Sequence, residues 1–203
     1  MYDPRPARFI SEDPLGFDAG DANLYRYVTN SPTNYTDPTG LLVEGLYDRE
    51  TRTLTLWDTE AKSPPITIDV FSGYLDGKNN PALENIPDTG PIPQGKYEIL
   101  DYPRDGDWYR LDRIDSIPRN DVDDDLYNRN QFRLHPGSRS YGCITIPEEN
   151  KDDWKEVENM LERTTTETVE DNSVDNGKLS WLRSLFRLGK PKKIKKFGTI
   201  TVR

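Results

Sequence analysis

The chain has 203 residues, 33% of them hydrophobic, and a formal net charge of −9 at pH 7. That length holds one full domain, or one with a smaller companion, and the low apolar share keeps the core modest. No apolar run approaches the ~20 residues that cross a bilayer, the N-terminus has no charged-then-apolar signal peptide, and the acidic balance argues against DNA as the main partner.

Residue usage narrows the chemistry further. A single cysteine excludes an internal disulfide and a Cys-rich zinc site. A single histidine leaves no His-based metal set, and no EF-hand spacing is present. No metal or organic cofactor is therefore expected.

Residues 1–41 carry two copies of one turn, Asp13-Pro14-Leu15-Gly16 and Asp37-Pro38-Thr39-Gly40, around the aromatic stretch "NLYRYVTNSPTNY". Pro presets one backbone angle and Gly accepts another that most residues resist. From residue 42 onward the pattern changes. "RTLTLWD" (52–58), "ITIDVFSG" (66–73), "KYEIL" (96–100) and "WYRLDRI" (108–114) read as half-buried strands from their alternation or β-rich content. "DVDDD" (121–125) reads as a solvated loop rather than a metal site. "QFRLH" (131–135) and "CITI" (143–146) give two more strands, and "FGTITVR" (197–203) a last one. Between them, residues 147–164 place Trp154, Val157, Met160 and Leu161 on one helical face. Residues 164–178 are polar and read as a loop; 179–189 fits a short amphipathic helix ending at Gly189. Eight Lys or Arg and no Asp or Glu fall within 183–203, which reads as a basic loop before the final strand. The expected fold is mainly β, a sandwich or barrel with one or two short helices.

The only His and the only Cys stand eight positions apart, at His135 and Cys143, in "FRLHPGSRSYGCITIP". If 131–135 and 143–146 pair antiparallel, the two face each other with Cβ atoms ~4.5–5.5 Å apart. A free thiol, with a pKa of ~8.5, is mostly protonated at neutral pH. An adjacent imidazole takes its proton and leaves a strong nucleophile. Gly142 leaves the backbone unshielded, so the amides around Tyr141, Gly142 and Cys143 can meet a developing oxyanion. Arg133 and Arg139 are placed either to hold a substrate carboxylate or as ordinary surface charges. Ser140 either orients His135 or closes the loop through the backbone. Tyr141 is either a substrate wall or simple packing.

Two family resemblances attach to these motifs. "YDPRPARFISEDPLG" and "NLYRYVTNSPTNYTDPTG" closely resemble the C-terminal end of the core in Rhs and YD-repeat proteins. That resemblance implies a division into core end (1–41) and toxin (42–203). It also implies a cut after Leu41 made by core aspartates, for which Asp13 and Asp37 are the matching positions. "TGPIPQGKYEI", "FRLHPG" and "SYGCITIP" resemble the L,D-transpeptidase (YkuD-type) catalytic region, with Tyr141 where that family usually has a second histidine. This resemblance implies an L,D-transpeptidase-like fold and His135, Cys143 and Ser140 as the catalytic group. It further implies L,D-carboxypeptidase or L,D-transpeptidase exchange on peptidoglycan stem tetrapeptides by a type VI-delivered toxin in the target periplasm. The partners expected are peptidoglycan stem peptides, a cognate immunity protein, and the Rhs core with its secretion machinery, with no nucleic acid and no transmembrane segment. Two alternatives stand beside it: a Cys–His amidase or protease acting on a cytosolic protein, and a non-enzymatic binding module.

Overall fold

Alternation of apolar and polar side chains builds most of the structure, as period two requires when one sheet face is buried. The computed structural model describes residues 2–3, 8–9, 42–58, 64–102, 108–120, 122–164, 166–172 and 192–203. The chain divides into two compact units, Met1–Gly40 and Leu41–Arg203. In the first, β1 (Tyr2–Asp3) and β2 (Arg8–Phe9) pair antiparallel, Tyr2 opposite Phe9. Asp13, Asp37 and Leu41 lie outside the described residues, as does the helix expected at 179–189.

The second unit is a mainly β fold with one helix among the described residues. Its strands are β3 (Val43–Asp48), β4 (Thr53–Asp58), β5 (Ile66–Asp69), β6 (Gly95–Asp101), β7 (Tyr109–Arg113), β8 (Arg133–Gly137), β9 (Ile144–Pro147), β10 (Glu167–Asp171) and β11 (Lys192–Val202). They join in the order β5-β4-β3-β11-β6-β7-β8-β9, with β10 also on β11. Beyond β5, Phe71 exchanges two backbone hydrogen bonds of 2.9 Å with Thr145 of β9. The two ends of the sheet therefore meet, and the sheet is a nearly closed barrel, which leaves few unpaired edges.

Inside lie Val43, Leu54, Leu56, Tyr97, Ile99, Leu111, Leu134, Ile144 and Ile146, all fully buried. Each aliphatic side chain so buried contributes about 1.5–3 kcal/mol. The helix α1 (Lys151–Arg163) begins with Asp152 and Asp153 and ends with Arg163, charges that suit its dipole. It turns Trp154, Val157 and Leu161 inward and packs on β5, β8 and β9.

Three local expectations fail. Residues 164–178 were expected to be a loop and the basic end another; instead Glu167–Asp171 and Lys192–Lys196 pair as antiparallel strands. Opposite charges meet across that pair, Lys192 on Asp171 at 3.3 Å and Lys196 on Glu167 at 3.4 Å. Each segment alone is too charged to read as a strand; together they neutralise each other. The "DVDDD" stretch is not simply solvated. Asp123 and Asp124 are buried, and they bind Arg110, Arg133 and Arg113. The third concerns the strands that carry the His and the Cys.

Candidate functional site

Strands β8 and β9 run parallel, not antiparallel: Leu134 stands opposite Ile144 and His135 opposite Thr145. The chain leaves β8 at Gly137 and must retrace about 10 Å, three residues at ~3.3 Å each, to begin β9. Residues 138–143 suffice, since six extended residues reach ~20 Å. Two features shape this return. Ser140, buried, donates its hydroxyl to the Cys143 carbonyl at 2.8 Å. Gly142 has φ +112°, a left-handed conformation that other residues adopt only with strain.

The pleat then decides what faces what. Leu134, Ile144 and Ile146 point into the core. Arg133, His135 and Thr145 occupy the opposite face, and Cys143, immediately before β9, lies two residues from Thr145, the partner of His135. The thiol donates to the Gln131 carbonyl at 3.6 Å. The imidazole Nδ1 lies 2.8 Å from the Pro136 carbonyl. A carbonyl only accepts, so Nδ1 carries the proton and Nε2 of the neutral ring holds a lone pair. Thr145 Oγ1 lies 3.3 Å from that Nε2 and donates to it. Trp108 stacks on the imidazole at 4.3 Å between centroids.

Burial governs the protonation states. It pushes the Cys143 thiol up to about 11, opposed by the backbone amide and guanidinium of Arg133. Burial likewise holds His135 below 6.5, and Arg133 adds repulsion. The resting pair is thus a neutral thiol and a neutral imidazole, each with its own hydrogen-bond partner.

The other expected site residues distribute differently. Arg133 is buried, its guanidinium bound to Asp123 at 3.2 Å and to the Phe132 carbonyl at 2.6 Å, and stacked on Tyr102 at 4.1 Å. Arg139 is exposed. Tyr141 is 48% exposed, with its ring 5.0 Å from that of Tyr74. A cleft of about 570 Å³ opens where the end of β8 meets α1, lined by Trp108, Pro136, Gly137, Ser138, Lys151 and Trp154 among others. Sequence reasoning missed Thr145, Trp108 and Asp123. Thr145 was within reach, since it lies two positions after Cys143 in an alternating strand. Trp108 is 27 positions from His135 and gives no local signal.

A family model described as the Tlde1 domain matches residues 66–172, a span that includes the whole His135–Cys143 region. Among curated proteins, a double-stranded DNA deaminase toxin A of Burkholderia cenocepacia (strain H111) is 49% identical over 41 residues. Those residues are 20% of this chain and 3% of that protein, so the two share only a short segment. No solved structure matches. These findings overturn the assignment drawn from sequence. The matching family model is the Tlde1 domain rather than a YkuD-type family fused to an Rhs core, and the named relative is a DNA deaminase toxin rather than a peptidoglycan enzyme. The L,D-transpeptidase and L,D-carboxypeptidase activities are withdrawn. So are the peptidoglycan partner and the exclusion of nucleic acid, and the periplasmic site of action finds no support.

The activity in that relative's name raises the question of whether this chain could hold zinc. Zinc-dependent nucleobase deaminases hold the metal with one His and two Cys, or three Cys. This chain has one His and one Cys, and among the described residues no three His, Cys, Asp or Glu side chains are arranged to hold a metal ion. The donor set does not fit a zinc of that kind.

Proposed function

We propose, from the premise that this chain belongs to the Tlde1 domain family, that its body (42–203) is a toxin domain in which Cys143 is the nucleophile and His135 its proton acceptor. One observation carries this reading. The lone cysteine immediately precedes the strand paired with that of the lone histidine, two residues from the Thr145 that stands opposite His135, and the imidazole keeps Nε2 free of hydrogen.

The chemistry that follows is displacement of nitrogen from an sp² carbon. The thiol proton passes to Nε2 as sulfur adds to the carbon. The C–N bond then breaks, and the imidazolium returns its proton to the departing nitrogen. Water adds to the thioester-like carbon, the S–C bond breaks, and the thiol is restored. The net change is addition of one water and release of one amine or ammonia. Deamination belongs to this reaction class, so double-stranded DNA is one substrate to assay. Arg133, beside Cys143, favours the charged sulfur. Ser140 and Gly142 hold the turn that presents it.

Residues 1–41 act as a carrier segment, with Asp13 and Asp37 serving a cut after Leu41. Support comes from the division of the chain at this point, the first compact unit spanning Met1–Gly40. The producer secretes the toxin, and it acts inside another cell. The test is acid-quenched mass spectrometry of the full chain after mixing with double-stranded DNA or with an extract of susceptible cells. A mass gain confined to the Cys143 peptide, absent in C143A, is the expected result. Nitrogen release by C143A at the wild-type rate overturns the proposal.

A further inference from the structure

Arg129 is 3% exposed, and among the described residues no carboxylate forms an ion pair with it. A buried cation without an anionic partner is costly, and one is retained only where its hydrogen bonds are well met. Here they are met by carbonyls. Nη1 donates to Glu84 at 2.5 Å and to Pro91 at 2.6 Å; Nη2 donates to Gly90 at 2.9 Å and, at the longer 3.5 Å, to Tyr141. The guanidinium also lies over the Phe132 ring, 4.9 Å from its centroid. A Cβ added to Gly142 would come within 2.3 Å of Nη2. One side chain therefore ties the 84–91 segment to the turn that precedes Cys143, and it occupies the space where any residue but glycine at 142 would put its own side chain.

A trans peptide points its C=O and N–H in opposite directions. With the Tyr141 carbonyl turned inward onto Arg129, the Gly142 N–H points away from the guanidinium. We infer that Arg129 is the positioning residue of the Cys143 turn, fixing the Tyr141–Gly142 peptide and supplying a buried cation to a thiolate formed at Cys143. The inference rests on Cys143 being the reactive group. The charged groups that act on that sulfur are Arg133 from β8 and Asp123 from the preceding loop, and Arg129 in turn feels the charge of Cys143. Asp123 is already shared by Arg110 and Arg133, whereas Arg129 forms no ion pair among the described residues and feels Asp124 and Asp88 only without direct contact.

The experiment is the rate of Cys143 alkylation by iodoacetamide between pH 7 and 11, in the full chain, for wild type, R129K, R129M and G142A. The lone cysteine makes the adduct unambiguous by mass. A charge partner moves a thiol by about one pKa unit or more, so R129M is expected to alkylate about tenfold more slowly at pH 8, with its profile displaced to higher pH. R129K keeps the charge and is expected to stay within about threefold of wild type. G142A, which pushes the guanidinium aside, is expected to follow R129M, and it decides the matter if R129M does not fold. A wild-type profile in R129M or G142A overturns the inference, and so does R129K matching R129M. A role confined to stability moves the thermal midpoint but leaves the profile in place. Because alkylation needs no substrate, this result is independent of whether C143A loses toxicity.

Discussion

His135 touches three neighbours, and each sets one of its properties. The Pro136 carbonyl fixes the tautomer, Thr145 meets the free nitrogen, and Trp108 covers a face of the ring. The sign of its pH effect follows from burial, which lowers its pKa in the folded state. Below 6.5 the unfolded chain takes up a proton that the folded chain resists. The stability from this group is therefore complete above pH 6.5 and is lost as pH falls through the folded value. In urea unfolding, the margin of wild type over H135N is expected to hold steady above pH 6.5 and to shrink below it; a margin independent of pH contradicts the assignment. Asp123 gives a second test. It accepts from Arg110 Nε at 2.6 Å, Arg133 Nη1 at 3.2 Å and the Phe132 amide at 3.0 Å. Removing one partner of a buried ionic group costs about 3–5 kcal/mol. D123A is expected to lose that much in urea unfolding, and a loss under 1 kcal/mol would mean that the cluster is not structural.

At the scale of elements, the strands were legible and their pairing was not. Alternation in "TLTLWD" and in "ITID" announced β4 and β5, and the spacing of Trp154, Val157 and Leu161 announced α1. Direction is a different matter. A six-residue link between two short strands suggests a hairpin, because parallel neighbours normally need a longer crossover. Nothing local in 138–143 reveals that the chain doubles back beside β8 instead, since β9 is committed to a second neighbour at Phe71, 74 positions before Thr145. In the antiparallel reading His135 and Cys143 stand opposite each other; in the parallel pair Thr145 takes the place opposite His135, and Cys143 lies two residues before it. β3 was missed because Gly45 interrupts its apolar pattern; a side chain there would strike Leu56 and Ile200. Leu134 is the core counterpart of His135 on the same strand. L134A is expected to cost about 2–5 kcal/mol in chemical unfolding, and a cost below 1 kcal/mol would show that β8 does not anchor the site to the core.

For the molecule as a whole, the fold class could be read from sequence and the family could not. Many short strands among 16 Pro and 14 Gly pointed to a mainly β barrel, and the nearly closed sheet is one. The specific enzyme suggested by the motifs around Cys143 gave way to the Tlde1 domain match. A short box of Ser, Gly and Cys describes a turn and a nucleophile, and neither names a substrate. What remains is a thiol and an imidazole on one wall of a barrel, with a buried arginine behind the turn. The most direct test is growth of bacteria expressing the full chain as wild type or C143A at matched levels, in the cytosol and with an export signal. Growth arrest by wild type in at least one compartment is expected, with none by C143A of unchanged circular dichroism and thermal midpoint. Arrest by C143A equal to that of wild type would contradict the account.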